Sequence, residues 1–407
     1  MKKFFISFFT IFIFSHNIIF KYFDFPFLKN NWDEIIEVFL FLFTVIYLSF
    51  NKKQSIKKDA FTNISLLLLI IIIGIIGNFT FGYVSEKYYI IKDIISFLKF
   101  PIVFFVFFNL LKNTCNDNTQ YSLLNRFVNI FIIIIFSLGL ISLFKDIGLS
   151  QNSIRNGIRP YQFLYTHPTY LVLNSLLMLV IHLSTNKRNN KIDIYDIFIG
   201  IIIILSMRTK GIATISVYFF IKYFSNSLKK FKFIYIISII AILFFISNQK
   251  VSEYASYSTS AREVFYKETI TITSKCFPLG SGFGSYASHI SRQANSKVYN
   301  FIHIPLYYVN GKLEYSVYGD TGYPYYIGQF GIIGFILIVI LFYRIYRKSI
   351  VFSFNKYSIY LIWLYIIIAL TSESILVNNG IELAFTLAFA STINLKEKNI
   401  ITKKQIN

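Results

Sequence analysis

The sequence predicts an all-α, polytopic integral membrane protein with about twelve transmembrane helices and one long external loop. Hydrophobic residues make up 55% of the 407 residues and charged residues only 14%, and the mean hydropathy is +0.57. A soluble domain carries far more charge. Apolar runs that approach the roughly 20 residues needed to cross about 30 Å of hydrocarbon recur along the whole chain. Residues 1–407 are therefore predicted to form a single transmembrane domain.

Each predicted span is an apolar run bounded by polar or basic residues. The pair 194–207 and 212–224 is short for a full crossing, so tilting, local bilayer thinning and a re-entrant hairpin all stay open for it. The first run follows Lys2 and Lys3, as in a signal peptide, but no small-residue cleavage site follows Phe14, which predicts a retained anchor. The predicted spans are residues 4–20, 35–50, 61–81, 90–111, 123–144, 163–183, 194–207, 212–224, 233–247, 325–343, 357–371 and 381–393.

Basic residues cluster in alternate connections between these spans. Because Lys and Arg are enriched on the cytoplasmic side of membrane proteins, those connections are predicted to be cytoplasmic. Both termini then lie inside, and the longest connection, residues 248–322, lies outside. The net charge of +21 is explained by topology and by contact with anionic inner-leaflet lipid, so no nucleic-acid partner is predicted.

Cysteine and histidine offer little chemistry in this sequence. Cys115 falls in a cytoplasmic connection and Cys276 in the external loop, so the two cannot form a disulfide in this topology. The histidines are scattered and do not combine with cysteines or carboxylates at metal-ligand spacing. No metal and no other cofactor is predicted.

The external loop 248–322 is the only long polar interruption between apolar runs. Ser260 followed by Glu263 forms a capping-box pattern, which predicts a short helix running toward Ser274. Arg262 falls in the first turn of that helix. It is either a surface arginine beside Glu263 or a phosphate ligand, since a guanidinium can hold phosphate through two parallel hydrogen bonds.

The spacing of Gly280, Gly282 and Gly284 matches that of phosphate-binding loops. Such loops follow a strand and bind nucleotides, whereas no strand is predicted before this one and it lies outside the cell. The glycines are predicted instead to let the backbone turn tightly against helix ends.

Asp320 ends the loop just before the span predicted at 325–343. It is either the N-terminal cap or a dipole partner of that helix, or a carboxylate able to bind a sugar hydroxyl or take its proton. Tyrosines surround it, among them Tyr323. They form either an aromatic belt at the membrane interface or stacking faces for sugar rings.

Two further external connections carry charge. In the first, Arg159 and His167 are eight residues apart, which places them near one face if the helix predicted at 163–183 begins early. In the second, Arg208 and Lys210 form a polar turn. Charges in such a turn either extend to water or serve a function.

These features occur in a recognisable order. An Arg159-Pro…His167-Pro-Thr stretch enters a middle helix, and an arginine-containing turn follows the next helix. The long loop then begins Arg262-Glu-x-Phe, continues Pro278-Leu-Gly-Ser-Gly-Phe-Gly-Ser-Tyr, and exits through Asp320-Thr-Gly-Tyr to Gly-Gln-Phe-Gly-Ile-Ile-Gly. This layout resembles the bacterial O-antigen polymerase and O-antigen ligase superfamily of integral membrane glycosyltransferases.

The resemblance implies an all-helical, GT-C-like fold and metal-free glycosyl transfer at the outer, periplasmic face of the cytoplasmic membrane. It implies undecaprenyl-diphosphate-linked oligosaccharides as substrates, and a chain-length regulator and a flippase of the same pathway as partners beside membrane lipid. Ligases of this superfamily carry a His-Asn pair just before the helix that follows the long loop. Here Asp320-Thr321 stands at that place, which favours a polymerase over a ligase.

The rival functions are the ligase and a lipid-linked-oligosaccharide flippase. Transporters show internal repeats, broken helices and charges near the midplane, whereas this chain has one large loop and no evident repeat. A lipid-phosphosugar transferase with an Asp-x-Asp pair is disfavoured because Asp24 and Asp33 are too far apart. A non-enzymatic assembly scaffold is a further alternative.

Glycosyl transfer from a lipid diphosphate requires a leaving group that is held and an acceptor hydroxyl that is oriented and relieved of its proton. Shared external location is the basis for assigning roles. In this hypothesis the diphosphate is bound by Arg159, Arg208, Lys210 and Arg262, His167 approaches the donor, Tyr323 contacts the sugar, and Asp320, Glu314 or His303 handles the acceptor.

Overall fold

The computed structural model describes residues 2–23, 32, 34–39, 42, 54–112, 118–155, 157–186, 192–224, 261–302, 306–309, 312–315 and 321–393. These residues are mainly helical. The helices are α1 Lys2–Tyr22, α2 Gln54–Phe81, α3 Lys87–Lys112, α4 Asn118–Phe144, α5 Pro168–Thr185, α6 Ile194–Leu205, α7 Thr209–Phe224, α8 Ala261–Lys275, α9 His289–Gln293, α10 Gly322–Phe352, α11 Lys356–Leu370, α12 Ile375–Asn378 and α13 Gly380–Thr392, with a 3-10 turn at Lys297–Asn300 and strands β1 Leu306–Val309 and β2 Lys312–Tyr315.

A described helix overlaps every predicted span except two. The span 35–50 is described only in part, and 233–247 lies outside the described residues. In the described part of the chain, five helices are long and apolar enough to cross a membrane: Phe61–Phe81 within α2, Leu123–Phe144 within α4, and α3, α5 and α10. The structure is thus consistent with a membrane protein. The number of crossings, the membrane side of each loop and the GT-C-like fold stay predictions.

The helices differ in how far they are enclosed by others. In the most apolar part of α5, 83% of the residues are buried inside the protein. The buried share in the corresponding part of the helix is 22% for α4 and 28% for α2. The apolar side chains of α2 and α4 therefore face outward, where lipid is expected to cover them. Phe385 of α13 packs edge-on against Phe107 of α3, with ring centroids 4.8 Å apart. α3, α5 and α13 thus form the centre of the bundle.

One element departs from the all-helical prediction. In the long loop, β1 and β2 pair antiparallel, with Leu306 opposite Tyr315 and Val309 opposite Lys312. The two residues between the strands in sequence are Asn310-Gly311, a pair strongly favoured in two-residue hairpin turns. That local signal could have predicted the hairpin. The helix predicted from the capping-box pattern is confirmed as α8.

α10 is interrupted at Gly331, whose φ of 62° and ψ of −166° are not helical. The glycine-containing loop fills the interruption: the amides of Ser281 and Gly282 donate to the carbonyls of Gly328 and Gln329, each at 2.9 Å. Carbonyls that leave the helical ladder at membrane depth need such partners. The prediction that these glycines let the backbone pack against a helix is confirmed.

Two helix residues hold the same loop. Asn78 of α2 donates from Nδ2 to the Phe283 carbonyl and accepts from the Phe283 amide through Oδ1, both at 2.8 Å. Asp93 of α3 is buried and accepts from the Gly284 amide at 2.8 Å and from the Tyr325 hydroxyl at 3.4 Å. We call this side of the bundle, where α2 ends and α3, α5, α7 and α10 begin, the loop end.

Candidate functional site

Four basic side chains from three separate segments converge at the loop end. Arg155 comes from the connection before α5, Arg208 from the turn before α7, Lys210 from the first turn of α7, and Arg262 from the first turn of α8. Arg155, Arg208 and Lys210 all act electrostatically on His167, and Arg262 and Arg208 act on Lys210. We call these four basic residues the cationic cluster.

The turn between α6 and α7 positions Arg208 and Lys210. Met207 has a φ of 52°, a left-handed conformation that is uncommon for a residue with a side chain. Gly211 lets α7 approach α5 closely, because a Cβ there would stand 2.6 Å from Cγ1 of Val172. Arg208 and Lys210 are therefore held against the start of α5, partly buried, and do not extend freely to water.

Arg208 is fixed by two neighbours. Its Nη2 lies 2.7 Å from Nε2 of His167 and donates to Oε1 of Gln151 at 3.2 Å. A guanidinium can only donate, so Nε2 of His167 must accept. A neutral imidazole has a single acceptor nitrogen, which places the proton on Nδ1. The 3.3 Å contact between Nδ1 and the Thr169 amide therefore contributes no hydrogen bond.

His167 is held neutral by its surroundings. Burial, followed by the positive charges of Arg208, Lys210 and Arg155, lowers its pKa from 6.5 to about 4. As the N-cap of α5, with Pro168 at the first helical position, it also marks where the helix begins. The helix therefore does not begin early enough for Arg159 and His167 to share a face, and the condition of that prediction is not met.

The pKa of His167 predicts a pH dependence of stability. Between pH 6.5 and 4 the unfolded chain binds a proton on this residue and the folded protein does not, so stability falls as the pH falls through that window. We expect His167→Gln to flatten the decline of Tm from pH 7 to pH 5 in detergent. His289→Gln, at an exposed histidine of α9, is the matched control and should leave the slope unchanged. Equal slopes for wild type and His167→Gln would contradict the assignment.

The cationic cluster retains donors without partners. Among the described residues, Nε of Arg208 and Nη1 of Arg155 are buried and make no hydrogen bond. Burial and the charge of Arg155 lower the pKa of Arg208 to about 10, which still leaves it protonated at pH 7. Buried donors on a cation are costly to leave unpaired. The arrangement therefore favours an anion that accepts several hydrogen bonds, and phosphate oxygens meet that need.

A carboxylate of the described residues also lies beside the cluster. Glu373, in the segment after α11, forms an ion pair with Lys210. Its backbone touches the start of α10, since a Cβ on Gly322 would stand 2.8 Å from the Glu373 carbonyl oxygen. Glu373 is not among the residues predicted from the sequence to act at the site. The pattern that could have indicated it is an acidic residue in the short polar run Thr371-Ser-Glu-Ser374 between two apolar spans.

Arg159 lies elsewhere. It forms an ion pair with Asp146, and the two side chains are 49% and 56% exposed. The backbone explains the difference from Arg155: amide-to-carbonyl bonds of 2.8 and 2.9 Å join Arg155 and Ile158 in both directions, with Gly157 at a φ of 78° between them. The chain reverses there, and Arg155 acts on His167 and Arg208 whereas Arg159 pairs with Asp146.

The tyrosines near the start of α10 have separate environments. Tyr323 is partly buried and donates its hydroxyl to the Ile367 carbonyl at 3.2 Å. Tyr325 and Tyr326 are 0% and 2% exposed and belong to the core. Neither the aromatic-belt nor the sugar-stacking interpretation applies to that buried pair. Tyr266 of α8 donates to the Thr371 carbonyl at 3.1 Å, which brings α8 beside the Glu373 segment.

The proposed acceptor-side residues fall mainly outside the described part of the chain. His303 and Asp320 lie outside the described residues, and Glu314 lies in β2 opposite Tyr307. The N-cap position of α10 is Thr321, which makes no side-chain cap bond. The alternative that Asp320 is the N-cap is therefore wrong by one residue. Its roles as a partner of the helix dipole and as a proton acceptor stay predictions.

The fold and the site define a helical protein, consistent with a membrane protein, that carries a partly buried cationic cluster at one end of its bundle. No family model matches the chain, and a search of curated proteins finds no similar sequence. In the described ranges, no group of three or more His, Cys, Asp or Glu side chains is placed to hold a metal ion.

Proposed function

We propose that this protein is a membrane glycosyltransferase that polymerises surface polysaccharide from undecaprenyl-diphosphate-linked oligosaccharide repeat units. The observation that carries the proposal is the cationic cluster, in which Arg155, Arg208, Lys210 and Arg262 meet with buried donors left unpaired. Within the described residues, Lys210 of this cluster forms an ion pair with Glu373. A diphosphate is the anion that such a group suits best, because it offers many acceptor oxygens and at least two charges.

The position of the cluster supports a lipid-linked substrate. It lies at the end of an apolar helical bundle, where a diphosphate on a polyprenyl chain would stand at the membrane surface while its lipid stays in the bilayer. During transfer, the bond between the sugar and the diphosphate breaks and negative charge grows on the leaving oxygen. Fixed guanidinium groups offset that charge as it develops.

The proposal includes an orientation and a location. The protein resides in the bacterial cytoplasmic membrane, with both termini inside and the loop end at the periplasmic face. The growing chain is transferred from its lipid diphosphate to the free end of the next lipid-linked repeat unit. A flippase supplies those units and a chain-length regulator acts on the product.

One observation favours the flippase as a second candidate. Lys99 lies 12 residues into α3, about 18 Å from its start, and pairs with Glu34 at 3.2 Å. Charged residues at such depth often mark transport pathways. This pair is largely buried, with side chains 5% and 22% exposed, and it is already neutralised. The cationic cluster at the bundle surface therefore favours the polymerase over the flippase.

Deletion of the gene and electrophoresis of surface polysaccharide tests the proposal. Collapse of the ladder to a single repeat unit on its core supports a polymerase. Loss of all repeat units from the core with lipid-linked polymer accumulating supports a ligase. Repeat units stranded on the inner face support a flippase. An unchanged ladder would remove the protein from this pathway.

A further inference from the structure

The geometry points to an acceptor subsite beside the cationic cluster, in which Glu373 takes the proton of a sugar hydroxyl and Thr321, Tyr365 and Ser374 bind the sugar. The inference rests on the proposed function, because the acceptor is the second substrate of the same transfer. All four residues of this subsite lie in the described part of the chain.

Glu373 stands where two helices meet. It follows α11, and its carbonyl lies within 2.8 Å of where a Cβ on Gly322, the first residue of α10, would stand. Thr321 directly precedes Gly322, and Ser374 directly follows Glu373. The carboxylate of Glu373 also acts electrostatically on Tyr365 of α11 and on Tyr170 in the first turn of α5. Segments that carry hydroxyl groups thus meet at Glu373.

Three of these hydroxyls are buried and unpaired. Thr321, Tyr365 and Ser374 are 0%, 1% and 1% exposed, and within the described part of the chain their oxygens make no hydrogen bond. Other buried tyrosines do have partners: the hydroxyl of Tyr161 donates to the Ile135 carbonyl at 2.9 Å, and that of Tyr286 to the Phe265 carbonyl at 2.6 Å. Buried polar groups are rarely left unpaired in native proteins. Several such groups in segments that meet at Glu373 indicate a place for a ligand that supplies the missing bonds.

The chemistry of the subsite selects its ligand. A carboxylate repels phosphate, and neutral hydroxyls can both donate and accept, so the group suits a neutral polyhydroxylated molecule. The adjacent cationic cluster takes the diphosphate of the donor, with Lys210 standing between the two sites through its ion pair with Glu373. Donor and acceptor thus occupy neighbouring places, as a transfer reaction requires.

The transfer forms one glycosidic bond and breaks the bond between the donor sugar and its diphosphate. An acceptor hydroxyl oxygen attacks the anomeric carbon of the donor, and a new glycosidic C–O bond forms as the bond from that carbon to the diphosphate oxygen breaks. The electron pair of the broken bond leaves with the lipid diphosphate, held by Arg155, Arg208, Lys210 and Arg262. The hydroxyl proton passes to Glu373 and then to solvent. When the diphosphate engages Lys210, the Glu373 carboxylate is released from its ion pair and can accept the proton.

The test uses the full chain in phospholipid vesicles and two separate assays. Binding of undecaprenyl diphosphate reports the cationic cluster, and extension of a lipid-free oligosaccharide acceptor reports the transfer. We expect Glu373→Gln to bind undecaprenyl diphosphate at least as tightly as wild type, because Lys210 then has no competing carboxylate, and to lose at least about 100-fold in extension rate, as removal of a general base does. Glu373→Asp keeps a carboxylate and should recover part of the rate.

Tyr365→Phe is the second variant and guards against a folding defect. Because its hydroxyl has no partner, removal should leave Tm unchanged or raise it, while KM for the acceptor rises about 10-fold through one lost hydrogen bond. Tyr161→Phe is the matched control, since its hydroxyl bonds the Ile135 carbonyl: its Tm should fall and its acceptor KM should not change.

Failure of the acceptor subsite and failure of the proposed function give different results in these assays. Extension by Glu373→Gln at the wild-type rate, or an unchanged acceptor KM for Tyr365→Phe, would overturn the acceptor subsite while wild-type binding of undecaprenyl diphosphate still supports the proposed function. Wild-type protein that binds no undecaprenyl diphosphate would instead overturn the proposed function, and the acceptor subsite with it.

Discussion

Replacing Arg208 by Ala is expected to abolish polymer formation while the protein remains in the membrane fraction. Arg208 is the centre of the cationic cluster: it contacts His167 and Gln151 and keeps its Nε free of partners in the described structure. Loss of a buried, hydrogen-bonded cation from an anion site costs about 2–5 kcal/mol. This corresponds to at least about a 30-fold loss in affinity for undecaprenyl diphosphate.

Arg159→Ala is the matched control for this prediction. Both residues are external arginines in the predicted topology, but Arg159 pairs with Asp146 and is half exposed. An exposed pair contributes about 0–1 kcal/mol, so polymer length and diphosphate binding should remain near wild type. Arg208→Lys, which keeps the charge but loses the planar fork, should fall between the two. Wild-type polymer from Arg208→Ala, or its loss in Arg159→Ala, would exclude the cluster described for this site.

Gly331→Ala should destabilise the protein by more than about 3 kcal/mol, because crowding by backbone atoms and backbone strain act at the same position. A Cβ at this position would stand 2.3 Å from the Pro278 carbonyl oxygen and 2.5 Å from the Gly280 amide nitrogen, both backbone atoms that cannot move aside. The φ of 62° adds strain for any residue with a side chain. We expect low expression and a strongly reduced Tm in detergent.

Gly82→Ala separates crowding from backbone strain. Gly82 has a φ of 61°, nearly that of Gly331, but a Cβ there would meet no atom within 4 Å. Its substitution should therefore cost only about 1–2 kcal/mol, the price of the left-handed conformation alone. If the two variants melted at the same temperature, the seating of the glycine-containing loop in the interruption of α10 would not contribute to stability.

Much of the fold followed from local patterns. The apolar runs placed most of the helices, the Ser260 and Glu263 pattern placed α8, and the lack of a strand before Gly280 separated a packing role from a phosphate cradle. The start of α5 was missed by five residues because Phe163 through His167 are apolar enough to extend the run. Pro168 and its N-cap decide the boundary, and they act through backbone geometry that hydropathy does not report.

The site was only partly foreseen. Arg208, Lys210 and Arg262 were assigned correctly to one neighbourhood, because each stands at the same predicted end of a helix. Arg155 and Glu373 were missed, and Arg159 was placed with the wrong partners. Arg155 and Arg159 stand four residues apart in the same connection, and nothing in their spacing distinguishes them. A two-way backbone pairing across Gly157 separates their surroundings.

The sequence by itself determined that this chain is apolar and helical, where most of its helices run, and that its chemistry collects in the connections predicted to be external. Hydropathy and capping are local properties, so neighbouring residues suffice to read them. Only the tertiary structure decided that Arg155, Arg208, Arg262 and Glu373 meet, and that the loop around Gly280 enters α10 at Gly331. Those contacts join segments between about 50 and 220 residues apart, and their geometry depends on how whole helices pack.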